Sequence, residues 1–358
     1  MVTVAVDAMG GDRAPGEVVA GAVEVAATTS VRVLLTGPAD VLAAELQGHG
    51  RQNGIEVVAA PDVIDASDEP AAAVRAKPDS SMARACRLVR DGAAGAVVSA
   101  GPTGAMLAAS LLHIGRLRGI LRPGIAAVLP AQGGPCLLID AGANADARPE
   151  HLVQFAAMGA EFAADVLGVA RPRVGLLSIG EESSKGNQLT LETHGLLAAA
   201  SGIEFAGNCE GRDVLTGAFQ VVVADGFTGN VLLKGLEGAA VSILRQVRSA
   251  AASSLRAKVG GLLLRPALVA VRERTDPEAY GGAYLLGLRG LAVIAHGNVA
   301  RRGVANAIRY AALGLDADVV GRLERRVSDA SPPGDLQGEA AINTVPGVPS
   351  PENGDQTA

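Results

Sequence analysis

Short runs of Val, Ile, Leu and Ala recur along the chain at 2–7, 31–36, 55–60, 94–100, 125–130, 136–140, 173–179, 221–225 and 291–296. Within most runs the apolar character is nearly continuous rather than alternating, the pattern of a strand covered on both faces. Ala-rich amphipathic stretches separate the runs. Strand and helix therefore alternate, which predicts an α/β fold on a mostly parallel sheet with helices packed over it. No fixed-period repeat interrupts the alternation.

The pattern changes between Thr228 and about Arg274, where one long helical stretch carries no strand signal and is broken only by Gly260-Gly261 and Pro266. Its portion 238–272 holds Arg245, Arg248, Arg256, Lys258, Arg265 and Arg272 and no Asp or Glu. Apolar positions such as Ile243, Leu244, Val247, Leu255 and Val259 recur there at helical spacing, and the glycine pair offers a turn between two helices. A segment of this kind, about 238–274, is expected to project from the body and to meet a second copy of the chain, an acidic partner or anionic lipid. Arg256, Lys258, Leu262 and Leu263 are its expected contact residues. Beyond Val327 the chain is rich in Pro, Gly, Ser and acid, so 328–358 is expected to be disordered and 1–327 to form a single α/β catalytic body.

Composition narrows the function classes. Hydrophobic residues make up 49% of the 358, but aromatics only 2%, with no Trp. The core must be aliphatic, and side chains that stack on nucleobases are scarce. A net charge of −6 also points away from nucleic acid as a general partner. Cys86, Cys136 and Cys209 are odd in number and lack CxxC spacing, which suits a reducing cytoplasm better than a disulfide scaffold or a zinc site. The apolar runs fall short of the ~20 residues that span a bilayer, and the chain opens directly on a strand without a leader pattern.

Candidate chemistry gathers where the strands end. Asp7 leads into Gly10 and Gly11, Ser99 into Gly101, Thr103 and Gly104, Asp140 into Gly142 and Asn144, and Asp225 into Gly226, Gly229 and Asn230. The runs after Ile179 and before Gly297 repeat the arrangement with Glu181-Glu182 and His296. Ligands of α/β sheets bind at the carboxyl ends of strands, and glycine there lets backbone N–H groups and helix N-termini approach an anion. Turn geometry alone explains any one of these glycines; a polar residue at each strand end suggests phosphate or a similar small anion. No Walker loop, GxGxxG fingerprint or nucleophile elbow is present. Asp7, Asp12, Asp140 and Asp225 could converge on a cation, but the histidines have no ligand spacing, and neither a metal nor a cofactor is expected.

The runs DAMGGD at 7–12, SAGPTGA at 99–105, DAGANAD at 140–146, VGLLSIGEESSKGN at 174–187, GNCEGRD at 207–213, VVVADGFTGNVLLK at 221–234 and YGGAYLLGL at 280–288 resemble, in order, the bacterial phosphate acyltransferases of phospholipid synthesis. The likeness covers about 1–315. It implies a three-layer α/β/α fold similar to isocitrate and isopropylmalate dehydrogenases and phosphotransacetylase, and a homodimer. It further implies reversible transfer of a fatty acyl group from acyl-acyl carrier protein to inorganic phosphate, giving acyl phosphate for phospholipid synthesis. Association with the inner face of the membrane, and with the membrane acyltransferase that consumes acyl phosphate, belongs to the same implication. Three positions depart from the family pattern: Pro102 stands in place of Asn, Asn298 in place of Ser, and Tyr284 in place of a smaller residue and is expected to narrow whatever it lines.

Phosphate is itself a nucleophile and a thioester an activated donor, so the chemistry asks for positioning and charge compensation rather than a covalent intermediate. Lys185 is assigned to phosphate, with Gly101, Thr103 and Gly104 as its cradle. Asn144, Asn187 and Asn230 are donors for phosphate or the oxyanion, and His296 is a proton donor to the departing thiolate. Asp7, Gly10, Gly11, Ser99, Asp140, Gly142, Asn208, Asp225, Gly226 and Gly229 complete the expected site. Cys209 could carry an acyl group but has no histidine beside it in sequence, and Lys234 reads equally as a site residue or a helix-face lysine. The rivals are an acyl-coenzyme A-dependent phosphotransacetylase, a Mg²⁺- and nicotinamide-dependent decarboxylating dehydrogenase, and a non-catalytic regulator that binds acyl carrier protein.

Overall fold

The computed structural model of the chain describes residues 2–49, 53–274 and 281–330. The first half runs β1 (Thr3–Asp7), α1 (Gly16–Thr28), β2 (Arg32–Gly37), α2 (Ala39–Gln47), β3 (Ile55–Ala59), α3 (Pro70–Ala76), α4 (Ser81–Arg90), β4 (Ala96–Ser99), α5 (Thr103–His113), β5 (Gly124–Ala131) and β6 (Gly134–Ile139). The second runs α6 (Pro149–Asp165), β7 (Arg173–Leu177), α7 (Gln188–Ala199), β8 (Glu204–Cys209), β9 (Val221–Val223), α8 (Gly226–Ala252), α9 (Leu255–Arg274), β10 (Ala283–Leu286), β11 (Leu291–Ile294), α10 (Arg301–Asp316) and α11 (Val319–Ala330).

All the strands join one sheet in the order β3-β2-β1-β4-β11-β10-β5-β6-β9-β7-β8. The continuous apolar runs have their reason here, since alternate residues of one strand serve the two faces. Val4 and Val6 of β1 enter one core, with Val33, Leu35, Leu137 and Ile139. Ala5 enters the other, with Leu34, Cys136 and Leu138. Helices α1, α6 and α10 cover the first face, and α4 and α5 cover the second. Tyr284 lies fully buried against Phe162 and Tyr310, its hydroxyl donating to the Tyr310 carbonyl. It fills the first core, where its side chain is fully enclosed.

Strand direction reverses in the middle of the sheet. β2, β3, β4 and β11 run parallel with β1, and β9, β7 and β8 run parallel with β6. Between these blocks the pairings β11–β10, β10–β5 and β5–β6 are antiparallel. Two strands went unread in the hydrophobic pattern. β8 is half-exposed for much of its length and carries Gly207, and β10 is only four residues long.

The helical stretch divides at Ser253-Ser254, not at the predicted glycine pair. Ser254 Oγ accepts from Ala257 N (3.1 Å), starting a new helix. Gly260 and Gly261 lie inside α9, where a Cβ at Gly261 would be 2.9 Å from that of Ala251; lack of a side chain lets the two helices touch. Pro266 also lies within α9. Helix α11 continues to Ala330, past the expected end of order at Val327, and the rest of the expected tail lies outside the described residues.

Candidate functional site

The Gly-rich loops form two groups, because the two blocks of parallel strands point their carboxyl ends in opposite directions. At the first, Ser99 Oγ donates to the buried Asp7 carboxylate (2.7 Å) and accepts from Gly101 N (3.0 Å). Met9 N also donates to Asp7. A side chain at Gly10 would sit 2.6 Å from both Asp7 Oδ2 and Gly101 N, so glycine is required for these loops to close together. Asp12 N donates to the Gly297 carbonyl (2.7 Å), tying the loop after β1 to the one that carries His296. Burial raises the Asp7 carboxyl above its ordinary range, against the opposing hydrogen bonds from Ser81, Ser99, Met9 and Gly10. Pro102 stands at the N-cap position of α5 without a side-chain capping bond, and Thr103 and Gly104 are exposed on the helix's first turn.

The second group is organised by Asp140. Its carboxylate accepts from the backbone N–H groups of Ile125, Gly142, Ala143 and Asn144 and from the Asn144 side chain. The remaining Asn144 amide hydrogen goes to the Pro123 carbonyl (2.8 Å), so the donors assigned to substrate are already committed within the loop. The N-terminus of α8 presses onto this loop: a Cβ at Gly226 would lie 2.7 Å from Asn144 N, and one at Gly229 only 2.0 Å from the Asp140 carbonyl oxygen. Asp225 caps the helix through Thr228. Asn230 Nδ2 faces Gly142, whose φ of 146° suits glycine.

Lys185 belongs to an exposed loop that Asn208 holds from behind. Asn208 is buried, donates to the Glu182 carbonyl (2.8 Å) and pairs with His194 (2.9 Å). Its place is thus under the loop. Ser178 Oγ donates to the Lys185 carbonyl (3.2 Å), and Asn187 caps α7 by accepting from Thr190. Among the described residues no carboxylate pairs with the Lys185 ammonium. A cleft of about 380 Å³ opens beside Asn187, between Asp146, Leu189, Asp225, Phe227 and Thr228. Phe227, at 66% exposure, stands on its wall in a chain poor in aromatics.

His296 is exposed on the loop after β11, with Nε2 at 3.2 Å from Glu237 Oε1; Glu237 Oε2 also takes Lys234 Nζ at 2.9 Å. Burial opposes the charge on Glu237, but hydrogen bonds from His296 and Lys234 prevail and hold its carboxyl below the ordinary range. Sequence reasoning missed Glu237: a single glutamate in a helical pattern reads as a solvated face. Arg212 Nε lies 3.1 Å from Glu210 and 3.9 Å from Asp213. Among the described residues no three His, Cys, Asp or Glu side chains gather in metal-ligating geometry.

Helix α8 links the two groups. It starts beside Asn144 and reaches Glu237, at His296, eleven residues later, a rise of about 16 Å. The arrangement offers buried carboxylates that organise backbone N–H groups, an unpaired ammonium, capped helix N-termini and a histidine backed by a carboxylate. Such a set can hold an anion and deliver a proton.

The family described as fatty acid synthesis protein matches residues 2–322. A phosphate acyltransferase of Gloeobacter violaceus is 47% identical over 328 residues, covering 91% of this chain and 97% of its own. One from Pelotomaculum thermopropionicum is 48% identical over 311 residues, 86% of this chain and 90% of its own. Among solved structures, a phosphotransacetylase from Streptococcus pyogenes superposes with a TM-score of 0.60 at 16% identity, covering 88% of this chain and 94% of its own. The EutD phosphotransacetylase of Staphylococcus aureus gives 0.55 at 16% identity, covering 87% and 94%. At that identity the likeness is one of fold.

Proposed function

The chain belongs to the phosphate acyltransferases of the fatty acid synthesis protein family, and from that premise we propose that its acyl donor is fatty acyl-acyl carrier protein and its product an acyl phosphate used in phospholipid synthesis. Transfer of an acyl group to inorganic phosphate is the family reaction. The observation that carries the site reading is the Lys185–Asn187 loop: an ammonium with no carboxylate partner leads into a capped helix beside a 380 Å³ cleft. Lys185 and Asn187 hold phosphate, whereas the N–H groups of Gly142 to Asn144 are committed to Asp140 and that of Gly101 to Ser99, so that they order their own loops. His296 protonates the sulfur that leaves.

The basic apolar pair α8–α9 is assigned to the surroundings of the reaction. No residue from 238 to 269 is buried, and Leu262 and Leu263 are 68% and 77% exposed. No helix among the described residues is long and apolar enough to cross a membrane. The pair serves homodimer contact, acidic carrier protein or the surface of anionic lipid, where the acyltransferase that consumes acyl phosphate works.

The deciding assay supplies acyl-acyl carrier protein and acyl-coenzyme A separately, at equal concentration with phosphate, and traps acyl phosphate with hydroxylamine. A kcat/KM at least tenfold higher on the carrier protein is expected. Equal or better use of coenzyme A would make the protein a phosphotransacylase of that kind, and no trapped product from either would leave only a binding role.

A further inference from the structure

We propose that Glu237 is a positioning residue that fixes the imidazole of His296 by holding its Nε2, an inference that rests on His296 being the proton donor to the leaving sulfur. The histidine lies on a loop, exposed, with nothing in its own segment to fix the ring. What fixes it comes from α8. Glu237 Oε1 meets Nε2 at 3.2 Å, and its side chain is 23% exposed against 46% for the histidine. The helix is anchored there by Leu232, Leu233 and Leu236, which pack against the second core. Nε2 is thereby occupied and Nδ1 is the nitrogen left for substrate.

As the phosphate oxygen bonds to the acyl carbon, the C–S bond breaks and its electron pair passes to sulfur. The Nδ1 proton of the imidazolium moves to that sulfur and leaves a neutral ring whose Nε2–H still points at Glu237. The P–OH proton released from the attacking hydrogen phosphate restores the imidazolium, so the net reaction is thioester plus hydrogen phosphate to acyl phosphate plus thiol. Lys234 modulates this arrangement because it binds the other oxygen of the same carboxylate (2.9 Å). The charged groups facing His296 are thus Glu237 and Lys234 from α8 and Asp12 from the loop after β1, whose carboxylate lies 3.9 Å from where a Cβ at Gly297 would stand.

Glu237 should therefore act only through His296. In the full-length protein, kcat and KM for thiol release are measured for wild type, Glu237→Gln, His296→Asn and the double variant. Glu237→Gln should lower kcat about fivefold with KM for acyl-acyl carrier protein unchanged, His296→Asn should lose tenfold or more in kcat, and the double variant should be no slower than His296→Asn. Wild-type kcat in His296→Asn overturns the proton-donor reading itself. If His296→Asn is slow but Glu237→Gln keeps wild-type kcat, or the two losses multiply in the double variant, the proton-donor reading stands and the role given to Glu237 falls.

Discussion

Asp7 and Lys185 show how differently two charged residues at strand ends can be placed. Asp7 is buried, with its carboxyl above the ordinary range, so the folded protein binds its proton more tightly than the unfolded chain. Stability from this group is fully present below the unfolded value of 3.8 and is lost as pH rises through the folded one. Asp7→Asn does not titrate, so the difference in urea unfolding free energy, wild type minus variant, should fall as pH rises above the unfolded value of 3.8; a constant difference would contradict the shift. Lys185 is exposed, and Lys185→Ala should raise the KM for phosphate and lower kcat with the melting temperature unchanged. Unchanged kinetics would remove it from the site. Cys209 is fully buried and its thiol is pushed above its ordinary range by burial, which leaves little thiolate for nucleophilic attack. Cys209→Ala should keep most activity, and a thousandfold loss without unfolding would point to an acyl-cysteine instead. The residues themselves were legible in sequence where glycine met a polar strand end. Their bonding was not: that Asn144 spends part of its amide on Pro123, and Asn208 its own on Glu182 and His194, depends on neighbours 14 to 26 residues away in the chain.

Among the elements, the inner strands of the parallel blocks were readable because burial on both faces leaves an unbroken apolar run, whereas the half-exposed edge strand β8 was not. The helical pair α8–α9 was readable as helix from its period, but its turn was misplaced. Glycine is a weak helix former that a helix can nevertheless contain, and the crossing of α9 over Ala251 needs the bare backbone of Gly261. The Ser pair supplies an N-cap, the stronger local signal. The outer surface of the pair is apolar and basic, with Val259, Leu262, Leu263 and Leu264 all exposed. Binding to anionic vesicles should accordingly weaken as salt rises, and Leu262→Glu and Leu263→Glu should reduce it at least fivefold in co-sedimentation, with activity on soluble acyl carrier protein largely kept. Absent binding at low salt, or loss of dimers on gel filtration instead, would assign the surface to a protein interface.

For the whole molecule, the hydrophobic pattern predicted one α/β body but not the reversal of strand direction, since periodicity carries no information on which way a strand runs beside its neighbour. That reversal is why the polar strand ends form two groups joined by α8 rather than one ring. The sheet order also places the last of the described strands, β11, between β4 and β10, near its centre. A chain emerging from the ribosome therefore completes nearly all its other strands before the piece that joins them exists. Until residues 281–294 are free, the edges of β4 and β5 are unpaired apolar templates of the kind that aggregate. Chains stopped at residue 280 should collect in the insoluble fraction, and co-expression of 281–330 as a separate fragment should return part of them to solution. A soluble, cooperatively melting 1–280 fragment would show that the sheet closes without its central strand, whereas rescue by the fragment would make late synthesis of β11 the step at which the nascent enzyme most needs a chaperone.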